Sequence, residues 1–586
     1  MKALKYINKY FRKYRVKLIL GVIISIIAKF FAIAVPKYIG NSVAVVESYL
    51  KSDITDIAVV KAALIKNILI IIGTALLYGL FAFFMRQTFI VVSRFIEFDL
   101  KNEVYTHYQK LSLSFYKANR TGDLMSRISE DVIKVRMYVG PALMYSVNTI
   151  SLFIVVLSYM TSIAPLLTLY TIAPLPILSV TIYFLSVAIN KRTTIVQEYL
   201  AKLTSFTQES FSGISVLKAY QIENRAHADF SQLANEGKQK SLHLAKVQAF
   251  FMPLMVLLIG CSNIIVIYIG GKQYLNGEIA DFGIIVEFIL FVNMLTWPVA
   301  TVGWVSSIVQ QAEASQERIN EFLKTVPEIE NSSDSLDFSI SGTVSFHNVS
   351  FTYPDTGIEA LSNLNLTIKA GQTVGIIGNT GSGKSTILEL IGRLYDPTEG
   401  YITIDQKKLT EINLQSLRSQ MGYVPQDAFL FSDTITNNIG FGVNNASAEE
   451  IISAAKTASL HENITSFKEG YNTLLGERGV TLSGGQKQRI SIARALIKKP
   501  TLLLLDDCLS AVDTETEEQI IANFNSLAQK KTCFIVSHRV SSIKNADIII
   551  VLENGKIIQQ GNHSELINKQ GYYQNLSKKQ LHRKEL

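Results

Sequence analysis

Apolar positions are spread unevenly along the 586-residue chain. Before about residue 310 they gather into long runs, several of them close to 20 residues. A helix rises about 1.5 Å per residue, so such a run crosses a hydrocarbon core of roughly 30 Å. Six spans are predicted, near residues 16–35, 65–84, 138–161, 166–189, 247–269 and 282–309. Pro36, Pro165, Pro174, Pro176, Pro253 and Pro298 lie at or inside them. Kinks are tolerated where neighbouring helices satisfy the freed backbone groups.

The gaps between spans alternate in length. About 50 residues separate the second span from the third, and the fourth from the fifth. These separators are polar but helical in pattern. The short connections, 162–165 and 270–281, belong on the opposite side. With the N-terminus inside, both long separators are cytoplasmic, and the helices continue into the cytosol as long rods.

The pattern changes after residue 323. The stretch KTVPEIENSSDSLDFSIS at 324–341 is polar, contains a proline and reads as a linker. Strand-like runs (TVSFHNVSFTY, NLTIKAGQTVGIIG) then alternate with helix-like ones, as in a mixed α/β domain. The expected domains are therefore 1–323, 324–341 and 342–586.

Composition sharpens this division. Hydrophobic residues make up 48% of the chain, and the mean hydropathy is +0.24. The net charge of +8 alone would admit a nucleic-acid partner. No aromatic-basic groove motif accompanies it, so nucleic acid is set aside. The N-terminal stretch MKALKYINKYFRKYRVK holds seven basic residues and no acid. Such a cluster beside a first span marks the cytoplasmic side. The first run is longer than a signal-peptide core and more spans follow, so an uncleaved helix is expected. Cys261, Cys508 and Cys533 are scattered, with neither metal spacing nor a disulfide framework. Lys29, Arg86 and Glu287 fall inside or at the edges of spans, where charges are candidates for function.

The α/β half carries the candidate chemistry. Residues 378–386 read GNTGSGKST, which fits G-x-x-x-x-G-K-[ST] between a strand and a helix. The glycines let backbone N–H groups turn towards a phosphate. Lys384 supplies a charge at the β- and γ-phosphates, and the Ser385 hydroxyl can ligate Mg²⁺. Asp506 ends the apolar strand TLLLL, where a carboxylate can hold Mg²⁺ through water. Between them, LSGGQ at 482–486 opens a second helix. Its free N–H groups and positive dipole end form another anion site. Two such helix ends can act on one nucleotide across a dimer.

Taken in order, the phosphate loop, LSGGQ, the strand-end Asp506 and Ser537-His538-Arg539 resemble the ATPase domain of ABC transporters. Tyr353 in FTYP, Gln426 in YVPQD, GERG at 476–479 and SAVD at 510–513 extend the match. TGDLMSRISEDV at 121–132 and QESFSGISVLKAYQIE at 208–223 resemble the cytoplasmic loops of exporter-type members. The resemblance covers essentially the whole chain. It implies a multi-domain fold, a six-helix all-α transmembrane domain followed by an α/β P-loop ATPase domain.

The resemblance also implies roles. Tyr353 stacks on adenine. Gly378, Asn379, Thr380, Gly381, Ser382, Gly383, Lys384, Ser385 and Thr386 cradle the phosphates of ATP. Ser385, Gln426 and Asp506 attend Mg²⁺, and Gln426 also links to the membrane helices. Ser483, Gly484, Gly485 and Gln486 contact the nucleotide bound to a partner chain. His538 contacts the γ-phosphate and the attacking water. Asp507 stands where the family places a glutamate as general base, and it is one methylene shorter. A misplacement of about 1 Å can cost on the order of 100-fold in rate.

Two assemblies therefore stay open. In the preferred one, this half-transporter pairs with a different chain, and Asp507 marks the weak site of a heterodimer. In the other, a homodimer hydrolyses slowly. The expected activity is ATP-driven export of a hydrophobic or amphipathic substrate, drug-like or lipid, across a prokaryotic cell membrane. The second class of function is a nucleotide-gated regulator or channel with a largely non-hydrolysing site.

Overall fold

The computed structural model describes residues 2–51, 56–333, 335–476, 482–528 and 531–582. The chain divides into two compact units. One joins Met1–Tyr108 with Gly122–Thr325, and the other joins Gln109–Thr121 with Val326–Leu586.

The first unit is helical. Among the described residues, five helices are long and apolar enough to cross a membrane: Arg15–Leu50, Ile57–Lys110, Thr121–Ile163, Glu223–Leu275 and Gly283–Leu323. The second has 54 residues, or about 80 Å of helix. It extends far beyond a bilayer core, as the polar separators predicted. Apolar side chains such as Ile19, Leu76, Ile154 and Leu257 point outward from these helices, where lipid rather than water is their natural solvent.

The predicted fourth span is not one continuous helix. It is divided at Ala173 between Pro165–Ile172 and Pro174–Ser212. Pro174 lacks the N–H that would continue the ladder, and its ring crowds the preceding turn.

Small residues bring the spans close. Gly21, Ser25, Ala28, Ala32 and Gly40 share the buried side of Arg15–Leu50. A Cβ on Gly283 would sit 2.1 Å from the Gly40 carbonyl oxygen, so here two helix backbones touch directly. Lys29 and Glu287 are buried within this unit, with the Lys29 ammonium 5.4 Å from the Tyr78 ring centre. Arg86 is exposed.

The second unit holds two sheets. Strands β1 (Val344–Thr352), β2 (Glu359–Ile368), β4 (Glu399–Ile404) and β5 (Lys407–Lys408) form an antiparallel sheet in the order β2-β1-β4-β5. The larger sheet runs β10-β9-β3-β8-β7-β6. Its members are β3 (Thr373–Gly378), β6 (Met421–Val424), β7 (Leu502–Asp506), β8 (Thr532–Val536), β9 (Ile548–Glu553) and β10 (Lys556–Gly561). All its pairings are parallel except β10 with β9.

A parallel sheet is covered on both faces, so its strands read as continuous apolar runs. That accounts for LLLLD and TCFIV, in which every residue is buried. Alternate side chains enter two cores. Leu503, Leu505 and Ile535 meet Ile490 and Ile492 of the helix Gly484–Leu496. Leu502, Leu504 and Phe534 meet Ile387 and the smaller sheet's Val344 and Phe346.

From Val326 onward, the predicted linker belongs to this second unit. The Leu336 amide donates to the Glu411 carbonyl at 3.0 Å, and the Phe338 amide donates to Ser416 Oγ at 3.0 Å. The segment Gln109–Thr121 carries a short helix, Leu113–Ala118. Ser112 and Ser114 both donate to the Glu328 carboxylate.

Candidate functional site

Strands β3, β7 and β8 are neighbours and point the same way, so their C-terminal ends converge. Ligands of open α/β sheets bind at such ends. Here the ends deliver the phosphate loop, the Asp506-Asp507 pair and His538. They line one cleft of about 320 Å³ together with Tyr353, Thr380, Gly381, Ser382, Gly383, Lys384, Ser385, Thr386 and Gln426.

The loop owes its path to glycine. Gly383 has φ +96°, and a Cβ there would lie 2.3 Å from the Ala360 carbonyl oxygen. Only glycine takes this conformation at no steric cost. The helix Lys384–Ile391 starts immediately after it, which leaves its first N–H groups facing the cleft.

Lys384 is buried. Its ammonium donates back to the carbonyls of Gly378 (3.0 Å) and Asn379 (2.7 Å). Burial lowers its pKa, while the charges of Asp507 and Asp506 oppose that shift. The Ser385 hydroxyl donates to Asp506 Oδ1 at 2.9 Å. Burial pushes the Asp506 carboxyl up to about 6; the Ser385 hydrogen bond opposes this and the Asp507 charge adds to it.

A carboxylate and a hydroxyl side by side are hard oxygen donors, which suit Mg²⁺. The partly uncompensated charge on buried Asp506 is what a dication would neutralise. Ser385 and Asp506 therefore fit that ion, and Gln426 lines the same cleft from an exposed position.

Asp507 is buried and has φ +42°. Its amide donates to the Val536 carbonyl at 3.0 Å, tying the turn after β7 to the end of β8. Left-handed backbone is uncommon outside glycine, and aspartate enters it more readily than most residues.

Tyr353 is half-buried, and burial raises its hydroxyl pKa to about 12. The hydroxyl donates to Glu389 Oε2 at 2.9 Å and lies 3.0 Å from Thr386 Oγ1. One edge of the ring is thus pinned to the phosphate-loop helix.

Ser483, Gly484, Gly485 and Gln486 stand apart from this cleft. Ser483 caps the helix Gly484–Leu496: its hydroxyl accepts from the Gln486 amide (3.3 Å), and its own amide donates to Gln486 Oε1 (3.0 Å). The Gln486 side chain is thus engaged in the cap. Ser483 and Gly484 are exposed, so the helix end is open to solvent. Of GERG, residues Glu477, Arg478 and Gly479 lie outside the described residues.

Some contacts at the site could not be read from the motifs. Glu389 lies one turn after Thr386 on the same helix, which is a faint local signal. Arg539 donates to the Ser510 carbonyl (2.9 Å) and pairs with buried Glu517 (2.9 Å). This joins the loop after β7 to the loop after β8. No sequence signal marks that pairing, because the partners come from different elements.

A membrane-length helical unit and a nucleotide-type α/β unit on one chain define a membrane protein with a nucleotide-binding unit. The ABC transporter transmembrane region matches residues 18–299, and a second ABC transporter model matches residues 361–510. The chain belongs to the ABC transporter family.

Its relatives include the multidrug resistance-like ATP-binding protein MdlA of Escherichia coli, 37% identical over 87% of each chain. The probable multidrug resistance ABC transporter ATP-binding/permease protein YheI of Bacillus subtilis is 34% identical, over 97% of this chain and 96% of that one. An ATP-dependent lipid A-core flippase of Syntrophus aciditrophicus is 36% identical, over 82% and 80%. The solved structure of a bacterial Atm1-family ABC exporter with ATP bound superposes with a TM-score of 0.80. It is 27% identical and covers 97% of this chain and 99% of that one.

Proposed function

We propose that the chain is half of an exporter that moves a hydrophobic or amphipathic substrate, drug-like or lipid, across the cell membrane at the expense of ATP. The observation that carries this is one cleft lined by Lys384, Ser385, Asp506, Asp507 and His538, on a chain that also bears membrane-length apolar helices. The ATPase unit and the basic N-terminus lie on the cytoplasmic side. Relatives named for multidrug resistance and for lipid A-core flipping support the substrate class.

Tyr353 offers its ring to adenine. The loop from Gly378 to Thr386 receives the phosphates through backbone N–H groups, and Lys384 turns from its loop carbonyls to the β- and γ-phosphates. Ser385, Asp506 and Gln426 hold Mg²⁺, which when bound neutralises charge on the phosphates. His538 orients the γ-phosphate and the attacking water. Asp507 takes the water's proton, over a longer reach than a glutamate would need. The exposed Ser483–Gly484–Gly485 helix end serves the nucleotide of the partner chain, which makes the working unit a dimer.

Asp507 favours a heterodimer in which this chain supplies the weaker site. The test is ATP turnover in lipid by this chain alone, beside Asp507→Asn and Lys384→Ala. Low turnover that rises on co-expression with a neighbouring half-transporter is expected. Robust turnover alone, lost in both variants, assigns a homodimer with Asp507 as a working base. Turnover that survives Lys384→Ala overturns the ATPase reading. Stimulation by hydrophobic cations or lipids in vesicles tests the substrate class, and no stimulation across such a panel counts against it.

A further inference from the structure

The helix Tyr572–His582 follows the last strand of the large sheet and takes no part in the motifs above. Two of its side chains nevertheless reach the rim of the nucleotide cleft. At its first residue, the Tyr572 hydroxyl donates to Asn379 Oδ1 of the phosphate loop at 3.0 Å. Eight residues further on, Gln580 grips the loop that carries His538. Its Nε2 donates to the His538 carbonyl at 2.8 Å, and its Oε1 accepts from the Val540 amide at 2.8 Å. One amide thus brackets Arg539 with two hydrogen bonds. The chemistry of donor and acceptor fixes which end of the amide faces which partner.

The helix itself is firmly seated. Tyr573 is fully buried; its amide donates to Gln559 Oε1 (3.1 Å), and its hydroxyl meets His563 Nδ1 at 2.7 Å. A Cβ on Gly571 would lie 2.2 Å from the Gln559 side chain, so the approach to the helix is tight. Eight helical residues span about 12 Å. A rigid element of that length therefore runs from the phosphate loop to the His538 loop.

We propose that this helix is a strut that sets where His538 stands relative to the phosphate loop, with Gln580 as the positioning residue. The inference rests on the proposed role of His538 at the γ-phosphate. Gln580 is not among the residues that line the cleft, and it acts through the backbone on either side of Arg539. Its loss therefore weakens what His538 recognises and spares what the phosphate loop recognises. ATP carries the γ-phosphate and ADP does not, so their ratio reads His538 placement separately from general damage to the fold.

The experiment measures Mg-ATP and Mg-ADP affinity of the full chain in lipid, on an Asp507→Asn background that suppresses turnover. Wild-type Gln580, Gln580→Ala, His538→Ala, the double variant and Lys384→Ala are compared. Gln580→Ala, which removes both hydrogen bonds, is expected to weaken ATP about fivefold, the equivalent of about 1 kcal/mol. ADP binding should stay within about twofold. In the His538→Ala background the same change is expected to have no further effect. An unchanged ATP-to-ADP ratio, an equal loss for both nucleotides, or full additivity with His538→Ala overturns the strut. Failure of the parent chain to bind ATP, or ATP binding that survives Lys384→Ala, overturns the ATPase reading and the strut with it. A normal Lys384 effect with a silent Gln580 overturns the strut alone.

Discussion

Asp507 is held with φ +42° directly after β7, its amide bonded to the end of β8. A longer acid would regain reach at the cost of left-handed strain, roughly 1–2 kcal/mol for an ordinary L-residue. Asp507→Glu is therefore expected to raise ATP turnover by on the order of tenfold or more, with a small loss of thermal stability. Turnover in lipid, measured beside a melting curve, checks both parts. Its neighbour Asp506 supplies a pH dependence. Burial raises its pKa from 3.8 to about 6, so the fold favours the protonated form. Between those two values the folded state binds more protons than the unfolded one, and stability falls as pH rises through that window. Mg²⁺ needs the ionised carboxylate, so Mg-ATP affinity should drop up to tenfold per unit as pH falls below about 6. Asp506→Asn should flatten that profile, as a titration of nucleotide binding from pH 5 to 8 would show. Both acids were legible in LLLLDDCLS, because a strand end fixes where its next side chains emerge. The backbone sign at Asp507 was not, since a left-handed turn leaves no trace in a run of two aspartates.

Elements show the same division. The phosphate loop was readable in full, because its glycines, lysine and serine are consecutive and the strand and helix flank them. The helix after Ser483 was readable as well, and its capping box uses Ser483 and Gln486 at the spacing such boxes require. The role of Gln486 in that box was not foreseen, since a glutamine side chain serves a cap or a ligand equally well by composition. The predicted fourth span met a break at Ala173. Hydropathy counts apolar residues and is blind to a missing N–H, so 166–189 read as one span although Pro174 interrupts the ladder. The helix Tyr572–His582 reads as an ordinary polar helix. Tyr572 and Gln580 gain meaning only from Asn379 and His538, which lie roughly 190 and 40 positions earlier in the chain.

At the scale of the whole molecule, the segment Gln109–Thr121 leaves the helical unit and belongs with the ATPase unit. Lys117 holds it there. Its ammonium lies 3.4 Å from Glu389 Oε1 and 5.1 Å from the ring centres of Tyr353 and Tyr395. A half-exposed ion pair with a cation–π contact is worth about 1 kcal/mol. Lys117→Ala should therefore raise the population of the undocked segment about fivefold, and with it the rate of tryptic cleavage at Lys110 and Arg120. Time-resolved proteolysis of the full chain in lipid measures this; an unchanged cleavage rate would show that other contacts hold the segment. By itself the sequence determined the two-part architecture, the order of the nucleotide-type motifs and the identity of the residues that meet in the cleft. Each of these is written in consecutive residues, as apolar run length, strand period or glycine spacing. Only the tertiary structure decided the transfer of Gln109–Thr121 to the ATPase unit, the pinning of Tyr353 by Glu389 and the grip of Gln580 on the His538 loop. These are hydrogen bonds and side-chain contacts between groups that folding alone brings together, and no local pattern of polarity encodes which distant partner a polar side chain will find.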